Sequence, residues 1–203
     1  MRKLLVEGAA TFALVFLGTG ACVVDAVSGG RLGVVGVGLV WGAAVWLLAA
    51  VSGAHMNPAV TVASRLPARE AASRLLVQAA GAFAASFALL ALFRERAGSL
   101  GTTVPAAGIA ASFGLEFAMT FVLVLAVLGL PGRLVPAAAG AIVGLEAIFG
   151  GPLTGASMNP ARSLAPALVS GRLDGLWIYL LAPTLGGRAA SRVYAGIAPR
   201  KMK

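Results

Sequence analysis

The polar chemistry of this chain is concentrated in a short string that occurs twice. Gly53, Ala54, His55, Met56, Asn57, Pro58 and Ala59 return in register as Gly155, Ala156, Ser157, Met158, Asn159, Pro160 and Ala161. In each copy the Asn is a good helix N-cap, and the Pro fits the first helical position, where its missing N–H would have no partner. The chemistry on offer is hydrogen-bond donation from two carboxamides, joined by the partial positive charge of two helix N-termini. A molecule held there must present an oxygen acceptor and should not be a cation. Arg162, directly after the second copy, adds a permanent guanidinium, and Glu7, Glu116 and Glu146 are carboxylates set in apolar stretches. The chain has one histidine, His55, and one cysteine, Cys22, so no metal-ligand spacing and no intramolecular disulfide is expected. Nucleophile–base pairs and phosphate loops are not evident, and neither an enzyme nor a cofactor is expected.

These residues ride on an apolar chain. Of its 203 residues, 59% are hydrophobic and only 11% charged, against about 25% charged in soluble domains. Apolar runs near 4–24, 33–52, 70–92, 111–130, 134–151 and 173–195 are long enough to cross a hydrocarbon core of roughly 30 Å as helices. Arg2 and Lys3 ahead of the first run imitate a signal peptide, but that run continues to about Val24 without a small-residue cleavage pattern. After each Asn-Pro the apolar run is only about ten residues, roughly 15 Å of helix and half of that core. The expected fold class is an all-α membrane protein, six transmembrane helices plus two re-entrant half-helices, forming one domain over 1–203.

The halves match beyond the repeated string. Glu7, Thr11, Phe12, Leu14 and Val15 correspond to Glu116, Thr120, Phe121, Leu123 and Val124, giving repeats of about 4–92 and 111–195. Three spans per repeat force the second copy to sit upside down, and inverted repeats place a site near the midplane, built from interrupted helices. Orientation follows from basic residues. With the N-terminus inside, Arg2, Lys3, Arg65, Arg69, Arg74, Arg133, Arg188, Arg192, Arg200, Lys201 and Lys203 fall on the cytoplasmic side, and Arg31, Arg94, Arg96 and Arg172 on the other. The net charge of +9 therefore reads as topology, with some attraction to anionic lipid, and argues against a nucleic-acid partner. Both termini are expected in the cytoplasm, in the cell membrane.

The paired boxes with Arg162 resemble the aquaporin, or major intrinsic protein, family over nearly the whole chain. The stretch from Gly155 to Leu168, together with Leu176, Trp177, Ile178 and Tyr179, is most similar to nodulin-like intrinsic proteins and their bacterial relatives. The resemblance implies a homotetramer with one pore per subunit, passing small neutral solutes between half-helices tipped by Asn57, Pro58 and Ala59 and by Asn159, Pro160 and Ala161. It implies a selectivity filter containing Arg162, with the other positions at Val37, Ala147 and Ala156 by ungapped spacing from the boxes. Water-selective members carry a bulky aromatic at the first of these and His at the second. Small side chains there imply a wide constriction that admits polyols or metalloid acids beside water. Ser163 stands where glycerol-conducting members typically carry Asp, and Tyr179-Leu180 fits neither the water nor the glycerol pattern. Glu7, Glu116 and His55 are expected to brace the re-entrant loops. Glu146, about 100° round the helix from Ala147, is expected to pack or to brace a loop. Competing readings are a strictly water-selective pore, a proton-coupled transporter using Glu146 or Glu7, and a closed membrane scaffold.

Overall fold

The computed structural model describes residues 1–198; Arg200, Lys201 and Lys203 of the basic set lie outside the described residues. The described chain is helical: α1 (Arg2–Val27), α2 (Gly33–Ser52), α3 (Pro58–Ala63), α4 (Ala68–Phe93), a 3-10 turn (Arg94–Ala97), α5 (Ile109–Gly129), α6 (Val135–Thr154), α7 (Pro160–Ser170) and α8 (Leu176–Ile197). The helices α1, α2, α4, α5 and α6 are long and apolar enough to cross a membrane. In length α8 equals them, but Pro183, Arg188 and Arg192 lower its hydropathy. Large apolar side chains such as Leu92, Leu145 and Phe149 point outward, as a lipid-facing surface requires.

The short helices start and stop for local reasons. Asn57 and Asn159, both extended (φ −151° and −146°), cap α3 and α7, with proline at the first helical position. The helices before them, α2 and α6, end on Gly53 and Gly155 in the left-handed conformation, φ 62° and 81°, which glycine adopts without steric cost. At six residues α3 is shorter than the run of about ten that the apolar stretch suggests. Pro67 disfavours helical backbone at Leu66, and the chain turns out at Arg65, φ 53°. The Arg65 guanidinium then ties this turn to α8 through Ser191, with Nε on Oγ at 3.0 Å and the terminal nitrogen on the carbonyl at 2.9 Å.

Packing follows the repeat. The α1 helix lies on α4 and α5 on α8, while α2 and α6 pair across the middle. Small residues permit the close approaches. A Cβ added at Gly42 would lie 2.8 Å from the Gly140 carbonyl oxygen, and one at Gly140 would lie 2.6 Å from that of Gly42. Association inside lipid depends on such backbone proximity, because burying apolar surface gains nothing there. Leu14, Met56, Met119, Leu123, Val143 and Met158 meet in the largest buried cluster, which draws on α1, α2, α5, α6 and both connections leading to the half-helices.

Candidate functional site

The two half-helix tips are locked to each other. Asn57 Oδ1 accepts from the Ala59 N–H at 2.9 Å, and Asn159 Oδ1 from the N–H groups of Ala161 and Arg162 at 3.1 and 3.3 Å. With the carbonyl oxygens turned onto the helix ends, the amide nitrogens cross over. Asn57 Nδ2 donates to the Met158 carbonyl at 2.9 Å, and Asn159 Nδ2 to that of Met56 at 2.8 Å. Met56 and Met158 are themselves left-handed, φ 53° and 54°, a conformation that costs a non-glycine residue about 1–3 kcal/mol. It aims each carbonyl at the opposite asparagine. Each carboxamide keeps one further N–H, and both side chains line a cavity of about 570 Å³. The cavity wall runs from Trp41 and Ala156 past the asparagines to Arg133 in the α5–α6 connection.

Carboxylates hold the connections from behind. Glu7, 1% exposed, accepts from the Met56 N–H at 2.6 Å and Gln78 Nε2 at 2.8 Å on one oxygen, and from Arg74 at 2.7 Å on the other. Glu116, fully buried, accepts from the N–H groups of Ser157 and Met158, both at 2.8 Å, and from the Thr154 hydroxyl. His55 Nδ1 lies 3.1 Å from Thr61 Oγ1, and the repeat-related pair, Ser157 and Ser163, is joined hydroxyl to hydroxyl. For Glu146, expected to pack or to brace a loop, no bracing hydrogen bond is present among the described residues. Its Oε2 is buried with no hydrogen-bond partner.

Arg162, 3% exposed, is fixed from three sides. One terminal nitrogen donates to the Gly101 carbonyl at 2.7 Å and the other to that of Gly155 at 3.2 Å. Its guanidinium carbon lies 4.9 Å from the centroid of the Trp41 ring, within the range of a cation–π contact. The buried Nε has no partner in the protein, and each terminal nitrogen, which makes one of these bonds, keeps a second N–H. Ala147 and Ala156 are buried in the central cluster, and Ala156 is held at φ 42°. Val37 is only partly buried at the edge of that cluster.

The aromatic ring on Arg162 thus comes from Trp41, one helical turn beyond Val37 on the same face of α2. The ring fits because α1 offers a glycine there: a Cβ at Gly18 would lie 2.5 Å from it. Counting back from Asn57 along the sequence could not reveal this contact, since how far α2 slides along α1 is set by their packing. Sequence reasoning also missed Gln78, which joins Glu7 to Thr61 (2.9 Å to its hydroxyl), Arg74, and the Tyr179 hydroxyl on the Thr154 carbonyl at 2.8 Å. For Arg74 and Gln78 the available signal was a polar stripe one turn apart on an apolar helix. No group of three or more His, Cys, Asp or Glu side chains able to hold a metal occurs among the described residues.

The model of a family described as Major intrinsic protein matches residues 1–194. Aquaporin NIP1-4 of Oryza sativa subsp. japonica is 40% identical, over 96% of this chain and 76% of that protein. Nodulin-26 of Glycine max is 38% identical, over 96% of this chain and 77% of its own length. Among solved structures, the aquaglyceroporin from Plasmodium falciparum superposes with a TM-score of 0.84, covering 97% of this chain and 96% of its own, at 23% identity. That likeness speaks to the fold.

Proposed function

Because the chain belongs to the major intrinsic protein family, we propose that it works as a passive channel for water and small uncharged solutes across a membrane. The observation that carries this reading is the crossed asparagine pair, two helix N-termini with spare amide donors on one cavity. An oxygen acceptor is welcome there and a cation is not. Exclusion of cations and protons by half-helix dipoles and an arginine is a known feature of this channel class, and Arg162 supplies the arginine.

The filter is formed by Trp41, Ala147, Ala156 and Arg162, with Trp41 in place of Val37. Support comes from the Trp41–Arg162 contact and from the small side chains on the remaining sides. One wall is an aromatic face and another a donor-rich cation. Such a constriction suits a molecule with a hydrocarbon edge and a hydroxyl edge, which describes glycerol-like polyols; hydroxylated metalloid acids also present the needed oxygens. The test is light scattering of proteoliposomes under sucrose and glycerol gradients. Wild type should pass both water and glycerol, whereas Ala147→His should keep water flux and lose most glycerol flux. Exclusion of glycerol by the wild type would instead establish the strictly water-selective reading.

The unpartnered Glu146 oxygen favours one rival, proton-coupled transport. Glu7 suits that role poorly, since both its oxygens are occupied. Uptake that saturates, follows a pH gradient and vanishes in Glu146→Gln would replace the channel reading. Flux through a channel is unsaturated and indifferent to a protonophore.

We further place α1's start and the α5–α6 connection on the cytoplasmic side of the cell membrane, on the asymmetry of basic residues. The chain is one domain of two inverted repeats, about 4–92 and 111–195, supported by the matching α1–α4 and α5–α8 pairs. Its working form is a homotetramer with a pore in each subunit, as is typical of the family.

A further inference from the structure

Beside the start of α1 lies a second cavity, of about 510 Å³, between α1, the end of α2 and α4. Its wall includes Arg2, Lys3, Glu7, Val51, Ser52 and Arg74, and it shares only Gly53 and Ala54 with the pore cavity. The charges here are unbalanced. Glu7 is already satisfied by Arg74, Gln78 and a backbone N–H, and Arg74 also pairs with Glu70 at 3.0 Å. Arg2 and Lys3 remain exposed, with no acidic partner among the described residues. The first turn of α1 adds to the same sign, having neither an acidic residue nor a side-chain cap, so its positive end is also uncompensated.

The cavity is also amphiphilic. Val51, 83% exposed, lies on its wall, and Leu5, 69% exposed, lies two residues beyond Lys3 on α1. Basic cations beside an exposed apolar wall fit a ligand with an anionic head and a hydrocarbon tail. Basic pockets between membrane helices take such headgroups. We propose that this cavity binds the phosphate headgroup of an anionic phospholipid, with an acyl chain lying along Leu5 and Val51. The site is separate from the pore, and the proposal does not depend on which solute the pore passes.

The test is native mass spectrometry of the full chain released from mixed micelles containing either phosphatidylglycerol or phosphatidylcholine. Phosphatidylglycerol should remain bound at one per subunit and phosphatidylcholine should not. Each basic residue near the surface contributes roughly a fivefold gain in affinity. The double variant Arg2→Gln/Lys3→Gln should therefore bind phosphatidylglycerol roughly thirtyfold more weakly. Arg172→Gln, in the connection before α8, should bind as wild type. Unchanged water flux of the double variant in phosphatidylcholine vesicles shows that it is folded. Equal retention of both lipids, or undiminished binding by the double variant, overturns the proposal. So does saturable displacement of the lipid by inorganic phosphate at comparable concentration, which would make the occupant a soluble anion.

Discussion

At the scale of single residues, the protein spends its few polar groups in matched sets. Each re-entrant connection receives one buried carboxylate, Glu7 or Glu116, and each asparagine gives one N–H to the opposite connection. A buried backbone N–H left without a partner costs about 1–3 kcal/mol, so the carboxylates repay their own burial by satisfying several donors at once. The proposed filter belongs to this scale too. Trp41 lies on Arg162 and Val37 only borders the central cluster. We expect Trp41→Ala to raise glycerol flux relative to water and to remove a contact of about 0.5–2 kcal/mol. Val37→Ala should leave the flux ratio unchanged. Parallel light-scattering measurements on the two variants would decide which residue walls the constriction, and the opposite pattern would return the role to Val37.

At the scale of elements, helix contact is governed by where a side chain is missing. The α2–α6 crossing brings Gly42 against Gly140 and Gly144, and a Cβ at Gly140 would meet both the Gly42 carbonyl and the Trp46 Cβ at 2.6 Å. Two helices would have to part to accept it. We expect Gly140→Ala to lower stability by about 1–3 kcal/mol, the usual cost of overpacking. Gly114→Ala in α5, where an added Cβ has nothing within 4 Å, should leave stability unchanged to within about 0.5 kcal/mol. Thermal unfolding in detergent, followed by tryptophan fluorescence, measures both. Equal losses in the two variants would show that glycine's place in the crossing is not the cause. The half-helices obey a different rule, since α3 and α7 owe their starts to Asn-Pro and α3 owes its early end to Arg65 and Pro67.

At the scale of the whole molecule, inversion is what makes two ordinary helix caps into a pore. Two N-termini entering from opposite faces concentrate positive potential at one point, which neither could do alone. The orientation is open to direct measurement. In a Cys22→Ser background, Ser28→Cys, between α1 and α2, should react with a membrane-impermeant maleimide on intact cells. Arg133→Cys, between α5 and α6, should react only after permeabilisation. Reversed labelling would invert the topology and carry the basic cavity at the start of α1 to the outer leaflet. Nothing in the pore geometry would change, because reversing the whole molecule leaves its internal contacts as they are.

The sequence by itself determined what depends on neighbours along the chain. Caps, Pro at the first turn, glycine stops and the length of apolar runs are local physics, so the helices, the two half-helices and the inverted repeat are legible without coordinates. The matched Glu7 and Glu116 are legible for a related reason, since a repeat displays equivalence by similarity alone. Only the tertiary structure decided what depends on how far one helix slides against another. That sliding put Trp41 and not Val37 on Arg162, joined Gln78 and Arg74 to Glu7, and left a Glu146 oxygen without a partner. The register of α2 on α1 and α6 is set by contacts at Gly18, Gly42 and Gly140. Glycines four apart, Gly38 with Gly42 and Gly140 with Gly144, mark faces for close approach, but which glycine meets which exists only once the helices are packed.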